Sequence, residues 1–220
     1  MNKQKCSKFL KDKNILWLIL FLLGIYWISR NLGKALQVKQ IVQVYNKFLA
    51  GQMSVGGEDI YQIITPTGEP ERRNATWYCI WDINGDEIPE LHICTGREYI
   101  IYSFKNGEMS RIQAFFSSPW QYTLLESGSF LNVYELGTIS NGYYYFELDE
   151  EGEIINELRF TWMDVNENYA CDEEDEFQFE GVICTKEEWL AKTEEYIILT
   201  EDGRTEVRNP VVWTVYCEEK

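Results

Sequence analysis

The sequence has little positive charge, one histidine and no closely spaced cysteine pair. Its 220 residues carry 20 Lys and Arg against 36 Asp and Glu, a net charge of −16. This balance excludes nucleic acid as the main partner, because phosphate binding requires a basic surface. The single histidine, His92, limits any mechanism based on imidazole, and no Cys-x-x-Cys or Cys/His spacing supports zinc. The 8 Trp, 14 Tyr and 11 Phe exclude disorder over most of the chain, whose length fits one domain with a short appendage.

The first 30 residues combine a lysine-rich lead with an apolar run. Residues 1–14 contain five lysines and one acid, and residues 15–28 contain no charged side chain. This run is as long as a signal-peptide core and shorter than the roughly 20 residues that span a bilayer comfortably. The basic lead predicts that the N-terminus is cytoplasmic and that the rest of the chain lies outside. We therefore expect a signal peptide or signal anchor over residues 1–30 and one extracytoplasmic domain over residues 31–220.

The fate of this segment stays open. Gly33 and Ala35 supply small residues at the −3 and −1 positions of a cleavage site, although the site follows a long polar stretch. The protein is then either a single-pass membrane protein held by residues 15–28 or a secreted protein. A buried core helix is the third interpretation, although core helices rarely follow a lysine-rich segment.

Acidic residues concentrate in the second half of the chain. Residues 31–220 hold 14 Lys and Arg against 35 Asp and Glu, and Asp164 to Glu180 contains eight acids and no base. A solvated acidic loop is the simplest interpretation of this stretch. A surface that collects cations and a docking face for a basic partner are the alternatives.

Two helices are predicted outside the apolar run. Apolar residues at helical spacing predict an amphipathic helix over residues 31–50, and Gly51 supplies its C-cap. A loop follows over residues 51–75, where Gly and Pro recur. Thr185 and Glu188 form a capping-box pattern that begins a second helix, with Trp189 buried and the end near Tyr196.

Between these helices the pattern changes to short runs of β-branched and aromatic residues. Asn106-Gly107, Asn141-Gly142 and Asp202-Gly203 are type I′ hairpin signals. A hairpin joining residues 196–200 with 205–208 and a last apolar segment, 211–216, follow the second helix. The fold class is α+β, with helices against one mostly antiparallel β meander. Its predicted strands are 77–83, 90–95, 98–105, 108–116, 121–127, 130–139, 142–149 and 153–163.

One segment carries metal-binding chemistry. Oxygen-bearing side chains stand at positions 1, 3, 5 and 9 of a loop, and the carbonyl of position 7 completes the set, as in loops that bind a hard cation. An EF-hand is excluded, because position 12 is Ile93 instead of glutamate and strands flank the loop. A plain hairpin at Asn84-Gly85 is the alternative, although it places Pro89 inside a strand. The candidate calcium ligands are Asp82, Asn84, Asp86, Ile88 and Glu90.

The sequence Asp82-x-Asn-Gly-Asp-x-x-Pro-Glu-Leu91 resembles the calcium loops of FG-GAP and VCBS-type repeats and of exported Firmicutes proteins with one such loop. The resemblance implies an N-terminal helix, a strand–loop–strand and a capped C-terminal helix. Only residues 82–91 are specific, and the family has no assigned activity. This chain has Glu87 where the family has glycine at position 6, which requires a strained or shifted turn.

The remaining residues favour binding over catalysis. His92 lies in an apolar strand pattern, which is typical of a packed histidine, and no nucleophile elbow is present. Residues 31–220 contain five cysteines, an odd number, of which Cys79 and Cys94 flank the loop. We expect a non-catalytic extracytoplasmic domain that binds a protein or a glycan. An immunity protein against a basic toxin and a carboxylate-dependent hydrolase are the alternatives.

Overall fold

The computed structural model describes residues 3–65, 75–116, 122–135, 140–201 and 203–216, with side chains from Leu20 onward except those of residues 116, 135 and 140. It divides into two compact units, Met1–Val44 and Tyr45–Lys220. The α+β class and the mostly antiparallel pairing are confirmed. Some predictions rest on parts of the chain that lie outside the described structure or side chains. These are the basic lead, residues 136–139, Asp202, Cys6 and Cys217.

The first unit consists of most of helix α1 (Lys3–Leu49), which is 47 residues long. The sequence predicted a signal or anchor segment over residues 1–30 and a separate helix over residues 31–50, and in the structure one helix runs through both. No proline interrupts residues 28–34, and one helical glycine, Gly33, costs only about 1 kcal/mol relative to alanine, so the helix continues. Over the described part of the chain, none of the helices combines the length and hydropathy that a bilayer crossing requires. The exposed apolar side chains of α1 include Leu20, Phe21, Leu22, Leu23, Ile25, Tyr26, Trp27 and Ile28.

The second unit contains two larger sheets where the sequence predicted one. Sheet A has the order β13-β1-β2-β3-β4 and sheet B the order β10-β9-β8-β7-β6-β5, both antiparallel, and β11 and β12 form a separate hairpin. The strands are β1 (Trp77–Trp81), β2 (Glu90–Cys94), β3 (Glu98–Lys105), β4 (Glu108–Phe116), β5 (Tyr122–Leu124), β6 (Phe130–Glu135), β7 (Ser140–Leu148), β8 (Ile154–Met163), β9 (Glu176–Phe179), β10 (Val182–Cys184), β11 (Ile197–Leu199), β12 (Thr205–Val207) and β13 (Thr214–Val215).

The two sheets share one aromatic core. Tyr99 of β3 lies 5.7 Å from Phe130 of β6, and Phe115 of β4 lies 5.5 Å from Phe146 of β7, measured between ring centroids. Side chains alternate across each strand, so Ile101 joins this core while Tyr102 points to the opposite face of sheet A. There Tyr102 contacts Phe48 at the end of α1, with ring centroids 5.1 Å apart.

The outer face of sheet B is covered by helix α3 (Lys186–Thr193) and by the β11–β12 hairpin. Thr185 caps α3 by accepting from the Glu188 N–H, and the Glu188 carboxylate accepts from the Thr185 N–H, so the predicted capping box is confirmed. Trp189 is fully buried, with its ring 5.4 Å from that of Phe177. The helix ends at Thr193, one turn before the predicted end, and residues 197–199 pair with 205–207 as predicted.

Two further predictions are wrong in detail. Asn141-Gly142 lies inside β7, and neither residue has the positive φ of a type I′ turn. Gly142 faces Tyr134 across the ladder, where a Cβ would overlap the tyrosine ring, so the glycine makes room for an aromatic side chain. A short helix, α2 (Ile60–Ile64), lies in the predicted loop and buries Ile60 and Ile64.

Candidate metal site

The loop between β1 and β2 has the length that the calcium motif requires. Trp81 pairs with Glu90 and Ile80 pairs with Leu91, so eight residues connect the strands. A tight hairpin at Asn84-Gly85 would have placed Pro89 opposite Ile80, and this register excludes it. We call residues 82–90 the first Asx loop, because its aspartate and asparagine side chains bond to the backbone of the loop itself.

Three side chains of the first Asx loop fold it into successive turns. Asp82 accepts from Gly85 N–H at 2.8 Å through Oδ1 and from Glu87 N–H at 2.8 Å through Oδ2. Asn84 Oδ1 accepts from Asp86 N–H at 3.0 Å, and Asp86 Oδ1 accepts from Ile88 N–H at 2.6 Å. Each turn holds its side-chain oxygens toward the inside of the loop, which is the arrangement expected of residues at positions 1, 3 and 5.

The turn at position 6 is strained, as the departure from glycine predicted. Glu87 has φ 71° and Gly85 has φ 75°, so both residues lie in the left-handed region. For glycine this conformation is free of steric cost, whereas for glutamate it costs roughly 1–2 kcal/mol. The bond from Glu87 N–H to the Asp82 carboxylate is retained nevertheless.

Glu90, the candidate ligand at position 9, lies beneath the loop with 1% of its surface exposed. Its Oε2 accepts from Ile83 N–H at 3.2 Å and its Oε1 from the Ser103 hydroxyl at 3.4 Å. Burial raises the pKa of Glu90 to about 8, against the lowering effect of the Ile83 bond, and the charges of Asp86 and Asp82 raise it further. Glu90 is therefore a buried carboxyl group beside two other carboxylates.

Neighbouring elements hold the first Asx loop on both sides. The hydroxyl of Tyr45 donates to the Pro89 carbonyl at 3.0 Å, and burial, followed by the charges of Glu90 and Asp86, raises the pKa of Tyr45. On the other side, Gly128 (φ 89°) approaches so closely that a Cβ there would lie 2.9 Å from the Ile83 Cα. The backbone of the loop is therefore fixed before any ligand binds.

The oxygen atoms of the loop are of the kind that bind a hard cation, but the candidate ligands do not yet lie close enough together to surround one. Within the described residues, no set of three His, Cys, Asp or Glu side chains is grouped so that it would hold a metal ion. Asp82, Asn84, Asp86 and Ile88 are linked by the turns, and Glu90 approaches from below. The remaining donors of a calcium site are amide and carbonyl oxygens, which Asn84 and Ile88 would supply.

A second loop with the same backbone was missed in the sequence. Asp164, Asn166 and Asn168 repeat the 1, 3, 5 spacing and Asp172 stands at position 9. We call residues 164–175 the second Asx loop. The spacing was visible in the sequence, but the surrounding acids made the stretch resemble an unstructured acidic loop.

Three side-chain-to-backbone hydrogen bonds occur at the same positions in both loops. In the second Asx loop, Asp164 Oδ2 accepts from Tyr169 N–H at 2.6 Å and Asn166 Oδ1 from Asn168 N–H at 3.1 Å. Asn168 Oδ1 then accepts from Ala170 N–H at 2.7 Å. Positions 4 and 6 again have positive φ, 59° at Glu167 and 63° at Tyr169.

Carboxylates at the end of the second Asx loop accept hydrogen bonds from N–H groups of the protein. The side-chain amides of Asn166 and Asn168 donate to Asp172, at 3.0 and 2.5 Å, and these bonds together with Glu174 N–H lower the pKa of Asp172. Asp175 Oδ2 accepts from the indole N–H of Trp162 at 2.8 Å. The Asp172 and Asp175 carboxylates that end this loop are therefore stabilised by hydrogen bonds from the protein itself.

Among the described side chains, His92 and the cysteines form no site. His92 is fully buried, Nδ1 lies 3.0 Å from the Tyr99 hydroxyl, and burial lowers its pKa to about 3, so it is a packed core residue as the sequence predicted. Cys79 and Cys94 are free and buried near each other in the core, where burial raises both thiol pKa values. Neither thiol is poised as a nucleophile, because the reactive form is the thiolate.

A depression beside the first Asx loop has a volume of about 420 Å³ and is lined in part by Glu147 and Asp149. Glu147 accepts from the Tyr145 hydroxyl and from the Asn156 amide, and Asp149 accepts from the N–H groups of residues 151 and 153. These carboxylates serve the local turn and make no acid–base pair.

Comparison of the chain with protein-family models, curated proteins and solved structures gave no match.

Proposed function

We propose that the second unit is a non-catalytic binding domain whose first Asx loop is stabilised by one calcium ion. The observation that carries this proposal is Glu90, a buried carboxyl group next to the carboxylates of Asp82 and Asp86. Within the described residues, none of the ion pairs involves these three side chains. A divalent cation would offset their mutual repulsion.

Loop geometry supports the same conclusion. Asp82 uses both of its carboxylate oxygens to hold the turns, whereas Asn84 and Asp86 use one oxygen each, and Asp86 Oδ2 takes no part in those turns. Calcium accepts six to eight oxygen ligands at 2.3–2.6 Å in flexible geometry, so small side-chain rotations complete the site. The Ile88 carbonyl and water would fill the remaining positions.

A structural role for the ion follows from what surrounds the loop. Ile83 is buried in the core between the sheets, and the loop joins two adjacent strands of sheet A. Calcium would hold β1, β2 and the Gly128 turn in place. A hydrolase has less support, because the carboxylates of the adjacent depression are occupied by local hydrogen bonds.

Thermal unfolding of the full-length protein tests the calcium proposal. With a dissociation constant of about 10⁻⁴ to 10⁻³ M, as in extracellular modules, about 5 mM calcium should add roughly 1–2 kcal/mol over EDTA. For a chain of this size the melting temperature should rise by about 2–8 °C, and magnesium should give much less.

Matched variants assign the effect to the loop. Asp86→Asn removes one charge without changing side-chain size and should abolish most of the calcium-dependent rise. Asp172→Asn makes the same change in the second Asx loop and should leave the rise intact. A melting temperature that is indifferent to calcium in the unmodified protein would overturn the proposal.

We also propose that residues 15–28 hold the protein at a membrane with the second unit outside. The lysine-rich lead and the exposed apolar side chains from Leu20 to Ile28 support this placement. A cysteine introduced at Asn106, an exposed turn residue, should react with an impermeant maleimide on intact cells. Reaction only after lysis would contradict the orientation.

A further inference from the structure

The open edge of sheet B is strand β10, which forms a hairpin with β9. Val182 is 65% exposed and Ile183 is 69% exposed, although they are consecutive and point to opposite faces of the strand. The turn between the strands is Glu180-Gly181, and both of its residues have positive φ. The strand therefore presents apolar side chains on two faces as well as an unshared backbone edge.

The register shows which backbone groups point outward. Glu180 N–H donates to the Arg159 carbonyl of β8 at 2.8 Å, so amides two residues apart on β9 also face β8. The amides of Phe179 and Phe177 then face β10, where they pair with Val182 and Cys184. Ile183 lies between these two pairs, and its N–H and C=O therefore point away from the sheet.

The other sheet edges are covered or short. β5 is bordered by residues 209–211, since Val211 N–H donates to the Leu124 carbonyl at 2.9 Å. β4 is covered in part by the turn at Gly152, whose carbonyl accepts from the Gln113 amide at 2.9 Å. β13 has two residues, and residues 217–220 near its end lie outside the described structure. Among the described edge strands, β10 is the one that combines two consecutive exposed apolar side chains with an outward backbone pair.

Charge selects the kind of partner. Residues 172–188, which contain β10, include eight Asp or Glu and one Lys. Glu180 precedes the strand, and Glu187 and Glu188 follow it in the first turn of α3. A second copy of this chain would bring like charges together at both ends of the pairing, whereas a basic segment would meet opposite charge.

We propose that β10 is a docking edge for an extended basic protein segment, which adds to sheet B as a strand. Main-chain bonds to Ile183 fix the segment, apolar side chains on alternate positions cover whichever of Val182 and Ile183 shares their face, and its lysines or arginines face the flanking glutamates. The proposal names a partner for the binding role proposed above. It does not depend on calcium, which the melting experiment measures separately.

The test uses a fluorescent peptide of seven alternating residues, Lys-Val-Lys-Val-Lys-Val-Lys, blocked at both ends, with the full-length protein. We expect binding that weakens as salt rises from about 50 to about 500 mM, because the flanking charges are exposed. A peptide of the same sequence with alternate amides N-methylated should not bind, since it keeps the charge and loses the strand bonds.

Variants of Ile183 separate strand addition from adsorption to the acidic surface. Ile183→Pro removes the outward N–H and leaves the β9–β10 bonds in place, so the fold should survive, as proline is tolerated on edge strands. Its affinity for the peptide should fall at least tenfold. Ile183→Thr keeps the N–H and should lose less.

Three results would overturn the proposal. They are equal binding of the N-methylated peptide, unchanged affinity in Ile183→Pro with an unchanged melting temperature, and self-association of the protein that Ile183→Pro abolishes. In each case a calcium-dependent melting temperature would leave the proposed function of the first Asx loop intact.

Discussion

The two Asx loops share a backbone and differ in the groups that surround their carboxylates. Both begin with an aspartate that accepts from the N–H of position 6, at 2.8 Å in the first loop and 2.6 Å in the second. In the second loop, asparagines at positions 3 and 5 donate to Asp172. The first loop has Asp86 at position 5, which has no amide to donate, and Glu90 is buried beside it.

This difference separates folding from ligand binding. The spacing of oxygen-bearing side chains at positions 1, 3 and 5 produces the turns in both loops, so the spacing alone indicates a backbone conformation. What distinguishes the first Asx loop is a buried carboxyl group, Glu90, beside two carboxylates, an arrangement that is costly without a partner. In the second loop, Asp172 accepts from the side-chain amides of Asn166 and Asn168.

The largest expected effect is a dependence on pH that arises in the first loop. The pKa of Glu90 is raised from 4.5 to about 8, so the folded protein holds a proton that the unfolded chain releases. The stabilisation is full below pH 4.5 and is lost as the pH rises toward 8, by an amount on the order of 4 kcal/mol.

Glu90→Gln isolates this effect, because glutamine resembles the protonated side chain. Urea unfolding in EDTA across this pH range should show the unmodified protein losing stability relative to the variant. Calcium should flatten the difference by holding Glu90 ionised. Parallel curves for the two proteins would mean that Glu90 ionises normally, and the contrast between the loops would disappear.

The next effect concerns the second loop. Asp164 is 4% exposed and accepts from Asn168 N–H at 3.2 Å and Tyr169 N–H at 2.6 Å. Asp164→Ala leaves Tyr169 N–H without its acceptor and Asn168 N–H with Asn166 alone, and should destabilise the protein by about 2 kcal/mol. Asp164→Asn retains one acceptor and should lose about half as much.

The same urea experiment shows whether the second loop is indifferent to calcium. The loss caused by Asp164→Ala should be equal in EDTA and in about 5 mM calcium. A loss that grows in calcium would show that the second loop also contributes to ion-dependent stability. The two loops would then no longer differ in whether calcium stabilises them.

The sequence predicted strands best where alternation and turn residues agree. The boundaries of β3 and β4 were predicted to the residue, because Asn106-Gly107 fixes the hairpin between them. The position of the first Asx loop was also predicted, because the residues that form its turns are close together in the sequence. What local patterns do not contain is the pairing of β1 with β13, which joins residues 77 and 215 and helps to divide the strands into two sheets.

The acidic stretch hid both the second Asx loop and the β9–β10 hairpin. These strands have only four and three residues, and the acids around them outweighed the apolar signal of Phe177, Phe179, Val182 and Ile183. Charge was read as evidence of a loop. In the structure it flanks short strands that complete sheet B, and Phe177 of β9 packs against Trp189 of α3.

The smallest expected effect compares position 6 in the two loops. Glu87 and Tyr169 both have positive φ and both donate their N–H to the first aspartate, a bond that glycine keeps. Glycine relieves roughly 1–2 kcal/mol of left-handed strain and adds about 0.5–1 kcal/mol of entropy to the unfolded chain, so each substitution should stabilise the protein by less than about 1 kcal/mol.

In Glu87→Gly the calcium affinity should also rise, because the relaxed turn lets Asp82 and Asp86 close around the ion. In Tyr169→Gly the response to calcium should be that of the unmodified protein. Titration calorimetry with calcium measures both affinities, and Glu87→Ala serves as the control, because it removes the carboxylate and retains the strain. If Glu87→Ala binds calcium as tightly as Glu87→Gly, the gain comes from removal of the Glu87 side chain, and the strain at position 6 does not weaken the site.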